Sequence, residues 1–204
     1  MRKLKVTTFL TLDGVMQGPG GPDEDTSGGF DQGGWAVGYW DDQIAQEMAN
    51  FMGTPFDLVL GRKTYEIFAS FWPHATEEQG AKPLNDATKN VASRTLKSLE
   101  WANSVLIEGD VVEGVRALKQ QNGPELQIHG SSKLIRSLLP HNVIDEFHLL
   151  IFPVVLGKGK RLFDEGTTPV GLELVDHQVS STGVIIATYG PGGEVKSGTF
   201  GLGQ

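Results

Sequence analysis

The chain contains no cysteine. That excludes a disulfide framework, a thiol nucleophile and any Cys-ligated metal, and it fits a reducing compartment. Long apolar runs are missing too: no window approaches the roughly 18 consecutive apolar residues of a membrane-spanning helix. Arg2, Lys3 and Lys5 open the chain, but Thr7, Thr8, Thr11 and Asp13 interrupt the apolar run that follows. No signal peptide is therefore expected, and a cytoplasmic location is. Positive charge is scarce. With 17 Lys and Arg against 25 Asp and Glu the net charge is −8, which disfavours a nucleic-acid or anionic-membrane binder, since either needs an extended basic face. A compact basic pocket for one phosphorylated ligand stays open. The five histidines (His74, His129, His141, His148, His177) show no paired metal spacing, so no metal site is expected. There is neither a Gly-x-Gly-x-x-Gly fingerprint after the first strand nor a Walker loop.

The 204 residues suffice for one large domain, and the stretch from Asp57 to Glu66 organises it. Leu58 to Leu60 form a short apolar run that suits a buried strand. Gly61 permits a tight turn, and Arg62, Lys63 and Thr64 follow at once. Two cations and a hydroxyl beyond a strand's carboxyl end suit an anion, particularly where a helix over Thr64 to Ser70 leaves backbone N–H groups free. A solvated strand end explains the same residues equally well. Two further strand ends repeat the theme. Lys89 to Ala92 leads into Ser93-Arg94-Thr95, and Glu125 to His129 leads into Gly130-Ser131-Ser132, where either serine is a candidate cap for the helix through Leu134 and Leu138.

The other elements follow from pattern. Leu4 to Leu10 is a first strand. Gly14 to Tyr39, with nine glycines and two prolines, is a loop. Asp41 caps a helix carrying Ile44, Met48, Phe51 and Met52. His74 to Asp86 is polar and loop-like. Ser104 to Ile107 is a strand, and Asp110 with Glu113 makes a capping box for a helix bearing Val111, Val115 and Leu118. After Pro140 only strands remain: Asp145 to Leu156, then Leu172 to Val179 paired antiparallel with Gly183 to Tyr189. Residues 191–204 form a Gly-rich tail expected to be flexible. The result is an α/β domain over residues 1–190, with helices on both faces of a mainly parallel sheet closed by an antiparallel C-terminal edge. Its ligand belongs beyond the strands' carboxyl ends, where Arg94, with a guanidinium suited to phosphate, is the best candidate for a third phosphate beyond a diphosphate.

Val59-Leu60-Gly61-Arg62-Lys63-Thr64-Tyr65-Glu66 resembles the Gly-Arg-x-Thr segment of dihydrofolate reductases. Thr11-Leu12-Asp13-Gly14, Gly130-Ser131-Ser132-Lys133-Leu134 and the run from Val143-Ile144-Asp145-Glu146 to Pro153-Val154-Val155-Leu156-Gly157 are closer to the C-terminal reductase domain of the bifunctional riboflavin-biosynthesis deaminase–reductase. The resemblance spans about residue 3 to 189. It implies a three-layer dihydrofolate reductase-like fold that binds NADPH and reduces a small pteridine- or aminopyrimidine-like heterocycle. Gly61, Arg62, Lys63, Thr64, Gly130, Ser131, Ser132 and Leu134 would hold the diphosphate, and Ser93 and Arg94 the 2′-phosphate. Trp35, Phe51 and Phe68 would line the substrate, and a homodimer is implied, with the apolar strand from Phe147 to Leu156 offered as its interface. Catalytic candidates are His129, which stands where the riboflavin reductases tend to carry glutamate; Asp13; and Glu47, the carboxylate on the first helix. His129 is either a proton donor or a packed, hydrogen-bonded ring. The competing class is a non-catalytic nucleotide-binding protein that keeps the fold.

Overall fold

The computed structural model describes residues 1–201. Eight strands form one sheet in the order β4-β3-β2-β5-β1-β6-β8-β7. β1 (Leu4–Thr11), β2 (Phe56–Gly61), β3 (Lys89–Ala92), β4 (Ser104–Leu106), β5 (Glu125–His129) and β6 (Glu146–Phe152) are mutually parallel. β7 (Gly171–Val179) and β8 (Ile185–Gly193) close the sheet antiparallel. Each parallel crossover before β6 needs a connection that returns over a face, and the helices supply most of these. α1 (Asp42–Met52), α2 (Arg62–Phe71) and α3 (Ala81–Asp86) lie on one face, while α4 (Val111–Gln120) and α5 (Ser132–Leu138) lie on the other.

Strand periodicity divides the core between the two faces. Leu4, Val6, Leu126, Ile128, Phe147 and Leu149 pack with Val115 of α4 and Ile135 and Leu138 of α5. The opposite face carries Leu58, Leu60 and Tyr65 at one end and Ile44, Leu150, Phe152 and Ile186 at the other. Removing a fully buried side chain such as Ile135, for instance to alanine, costs about 2–5 kcal/mol.

The amino ends of the strands are stitched by charge. Asp145 accepts from Leu4 N at 2.7 Å and from the buried Lys119, which also donates to Val143 O at 2.7 Å. Arg2 bonds both Asp57 and the Pro124 carbonyl.

The structure departs from the sequence reading in several places. His74 to Asp86 is not a plain loop: α3 forms because Ala81 and Leu84 are buried against the cluster of Tyr65 and Trp101. Asn85 fixes it there, accepting from Trp101 Nε1 at 2.7 Å and donating to the Trp72 carbonyl at 2.9 Å. Asp110 caps α4, but Glu113 pairs with Arg116 instead of completing a capping box. α2 starts at Arg62 rather than Thr64. β6 stops at Phe152, four residues short of Leu156. It is central, flanked by β1 and β8, so neither of its backbone edges is free to pair with a second copy of the chain. β8 runs on to Gly193, opposite Gly171, and so takes in the first residues of the expected tail. The last part of that tail, residues 202–204, lies outside the described residues.

Candidate functional site

β2, β3 and β5 are parallel, and Gly61 is level with Ala92. The turns after them therefore leave the sheet at the same rim. Two of them touch. Ser131 Oγ accepts from Gly61 N at 3.1 Å, and a Cβ on Gly61 would meet Ser131 at 3.6 Å and Leu134 at 3.8 Å. A Cβ on Gly130 would meet Thr64 at 3.7 Å. Gly130 (φ 62°) and Ser131 (φ 63°) are both left-handed, a conformation serine rarely adopts and one that tends to mark functional turns. Ser131 stands at the cap position of α5 without capping it, its hydroxyl being spent on the β2 turn. α2 opens with Arg62 and Lys63 and has no acid in its first turn. Cations at the positive end of a helix are locally unfavourable and become favourable with an anion between them. Arg62 meanwhile pairs with Glu66 at 3.2 Å on the exposed side. In the neighbouring turn, Ser93 Oγ accepts from Thr95 N and Leu96 N at 3.2 and 3.0 Å, which leaves Arg94 exposed and, among the described residues, without an acidic partner.

On the face under α1 and α2, His129 is buried among Phe51, Phe56 and Phe68, with ring centroids at 5.7, 6.2 and 6.4 Å. Burial pushes its pKa from 6.5 down to about 4, so the ring is neutral near pH 7. Its Nε2 lies 3.0 Å from Gln127 Oε1, and Gln127 Nε2 donates to the Phe51 carbonyl at 2.8 Å. That carbonyl is in the last turn of α1, where no intrahelical donor reaches it. His129 thus holds the end of α1 through Gln127. Phe51 also stacks on His148 at 5.3 Å. Half-buried Glu47, on the same helix, is close enough to raise the His148 pKa, although burial outweighs it and lowers that pKa overall.

Asp13 and Trp35 serve the long loop. Asp13 accepts from Thr11 Oγ1 at 2.6 Å and from Leu156 N and Gly157 N at 3.2 and 2.8 Å, and pairs with Arg161 at 3.3 Å. The Thr11 hydrogen bond leads in holding its carboxyl down at about 2. Gln17 and Lys160 continue the seam: Lys160 N donates to Gln17 Oε1 at 3.0 Å and its ammonium to Asp25 at 2.6 Å. Trp35 donates to the Gln17 carbonyl at 2.8 Å and packs edge-on against Phe152 at 5.3 Å. Neither reaches the ring of aromatics around His129. Among the described residues, no group of three or more His, Cys, Asp or Glu could hold a metal ion.

A phosphate-suited rim, a neutral histidine under aromatics and this strand order together narrow the choice of family, and the profile described as RibD C-terminal domain matches residues 2–186. The chain belongs to the RibD C-terminal domain family. Its reductase-type fold is shared by solved structures. A protein of Shewanella sp. PV-4 named for riboflavin biosynthesis superposes with a TM-score of 0.71 at 23% identity, over 93% of this chain and 98% of the other. Dihydrofolate reductase from Enterococcus faecalis, complexed with NADP(H), gives 0.58 at 19% identity over 93% and 96%. By sequence, the uncharacterized protein YyaP of Bacillus subtilis (strain 168) is 27% identical over 192 residues, covering 92% of this chain and 94% of the relative. No helix among the described residues is long and apolar enough to cross a membrane.

The face under α1 also carries buried polar residues that sequence reasoning did not single out. Thr7 and His148 flank each other in register beside His129. Their signal was available: Lys5 and Thr7, Gln127 and His129, and Glu146 and His148 alternate with apolar residues on three strands that the topology makes internal. A polar stripe at period two on internal parallel strands departs from the near-continuous apolar runs such strands usually carry, and Lys5 accounts for part of it by pairing with Glu125 and Glu146.

Proposed function

We propose that this RibD-type domain is an NADPH-dependent reductase of a small pteridine- or aminopyrimidine-like heterocycle. The observation that carries the reading is the contact between the β2–α2 and β5–α5 turns. Gly61 and Gly130 keep the backbone bare there, their own amides being taken by Ser131 Oγ and the Thr7 carbonyl, and α2 adds Arg62, Lys63 and Thr64. Such a bare, basic rim at the start of a helix suits a diphosphate. Gly61, Arg62, Lys63, Thr64, Gly130, Ser131, Ser132 and Leu134 would hold it, and Ser93 would shape the turn that presents Arg94 to the 2′-phosphate. When bound, NADPH supplies the hydride.

The chain's own residues would do the rest. Phe51 and Phe68 exclude water from the substrate ring. His129, neutral and committed to Gln127, would position α1 and offer no imidazolium proton. Glu47 is the carboxylate left to hold a proton at the substrate, while Asp13 pins the long loop. Trp35 supports that loop from beneath. The homodimer, in this reading, uses the exposed edge strand β7, where Leu174, Val175 and Val179 face solvent.

Titration of the protein with NADPH and with NADH, followed by fluorescence, tests the cofactor. Tight binding of NADPH is expected, and binding of neither would reject the reductase reading. Binding without turnover of any heterocycle would favour a non-catalytic nucleotide-binding protein instead.

A further inference from the structure

α4 and β5 are joined by the short connection Gln121-Asn122-Gly123-Pro124. Asn122 and Gly123 are exposed and belong to no helix or strand. Among the described residues, neither the Asn122 side chain nor the Gly123 amide has a hydrogen-bond partner. Against them lies Arg2, itself 7% exposed. A Cβ on Gly123 would meet its Cζ at 3.1 Å and its Nε and Nη1 at 3.3 Å, so the close approach requires glycine. The same guanidinium donates to Pro124 O and to Asp57.

A free asparagine side chain before a bare, unbonded amide carries a latent reaction. Hydroxide removes the Gly123 amide proton, and the nitrogen attacks Asn122 Cγ. The new N–C bond closes a five-membered succinimide, the Cγ–Nδ2 bond breaks, and ammonia leaves with a proton from water. Water then adds to one of the two ring carbonyls, and opening gives aspartate or isoaspartate. The balance is one water taken up and one ammonia released. Intramolecular attack has the advantage of proximity, the missing Cβ lets the nitrogen approach, and the Arg2 cation favours the nitrogen anion.

The other asparagines are guarded. Asn85, Asn90 and Asn103 each donate through Nδ2 to a main-chain carbonyl. Asn50 is held in α1 and accepts from Gln46. Asn142 precedes Val143, which is branched at Cβ and buried.

We infer that Asn122 is a site of spontaneous deamidation, and that its isoaspartyl product unfastens Arg2 from Pro124. The inference is independent of the reductase reading. Isoaspartate adds one main-chain carbon just before β5, whose register with β1 and β2 is fixed by its neighbours; Pro124 O is then carried off Arg2. Aspartate leaves the chain length unchanged and puts a carboxylate beside Arg2. Either product adds one negative charge, taking the net charge from −8 to −9.

The test is to hold the folded protein in warm, mildly alkaline buffer for several days. Ion exchange then separates acidic species, and peptide mapping by mass spectrometry resolves the aspartyl and isoaspartyl forms. Asn122 should convert at least about tenfold faster than any other asparagine. Asn122→Gln, whose attack needs a larger ring, should lack the acidic species. The isolated isoaspartyl protein should melt about 2–4 °C below the fresh chain, for the loss of one hydrogen bond to a charged group. Asn122→Asp, with the charge but not the longer chain, should melt with wild type. An intact Asn122, conversion spread evenly over the asparagines, or acidic species that persist in Asn122→Gln would overturn the site. An isoaspartyl fraction that melts with wild type, or an equal fall in Asn122→Asp, would overturn its link to Arg2.

Discussion

Lowering the pH should destabilise this protein in two separable stages, the first of which is governed by His129. In the unfolded chain its imidazole takes up a proton near 6.5, whereas in the folded chain burial among Phe51, Phe56 and Phe68 delays protonation to about 4. The folded pKa is the lower one, so between those values the unfolded state holds more protons and stability rises with pH. The contribution is complete above about 6.5 and is lost as the pH falls towards 4. Linkage makes that loss roughly 2 kcal/mol by pH 5 and roughly 3 kcal/mol over the whole interval. His148, lowered by the same burial, acts in the same direction. Asp13 and Asp41, held at about 2, contribute in a different window, since their ionised forms are lost only as the pH falls from 3.8 towards 2. Urea unfolding followed by tryptophan fluorescence, at several pH values from about 7.5 to about 4.5, measures the first stage. His129→Gln keeps a donor for Gln127 and removes the titration, so it should lose about 2 kcal/mol less than wild type on going to pH 5. Parallel curves for the two proteins, or a flat wild-type curve, would refute the dry site on which this reasoning stands.

Arg94→Glu should weaken NADPH by about 10–100-fold and NADH by far less, since only the former presents a 2′-phosphate; equal losses in paired fluorescence titrations would remove Arg94 from that role. Ser131→Ala deprives Gly61 N of its acceptor and should cost about 1–2 kcal/mol in denaturant titration while also weakening NADPH; unchanged stability would mean that the turns hold their spacing without it. Val175→Lys on the exposed edge strand should convert a dimer to monomers in light scattering, because a lysine on an edge opposes strand pairing; a mass of one chain in wild type would dismiss the dimer itself.

Where local chemistry decides an element, the sequence was sufficient. Asp41 caps α1 as its position ahead of Ile44 and Met48 requires, accepting from Ile44 N at 2.9 Å, and the antiparallel β7–β8 pair follows from a connection too short for a helix. α3 was not legible, because its stability comes from Trp101, which is fifteen residues beyond Asp86 and binds Asn85 only once the chain is folded. The shared rim was legible, since parallel strands with intervening helices leave the three turns nowhere else to go. The spacing within it was not: a serine before a helix reads as a cap, and only tertiary contact reveals that Ser131 bonds across to Gly61 instead. His129 could be singled out but not interpreted, because its neutrality depends on aromatics from α1, β2 and α2 that converge only in three dimensions.

Arg2, Asp57, Lys119 and Asp145 lock the amino ends of four neighbouring strands, at the opposite end of the sheet from the turns proposed to hold the ligand. In the proposed reading, much of the cohesion therefore lies at the end of the slab opposite the ligand turns, with the Ser131–Gly61 contact as a tie at the ligand end itself. A chimera that exchanges the Gly61–Thr64 and Gly130–Leu134 segments together for those of a relative should still assemble, since the charged ties among Arg2, Asp57, Lys119 and Asp145 remain to align its strands.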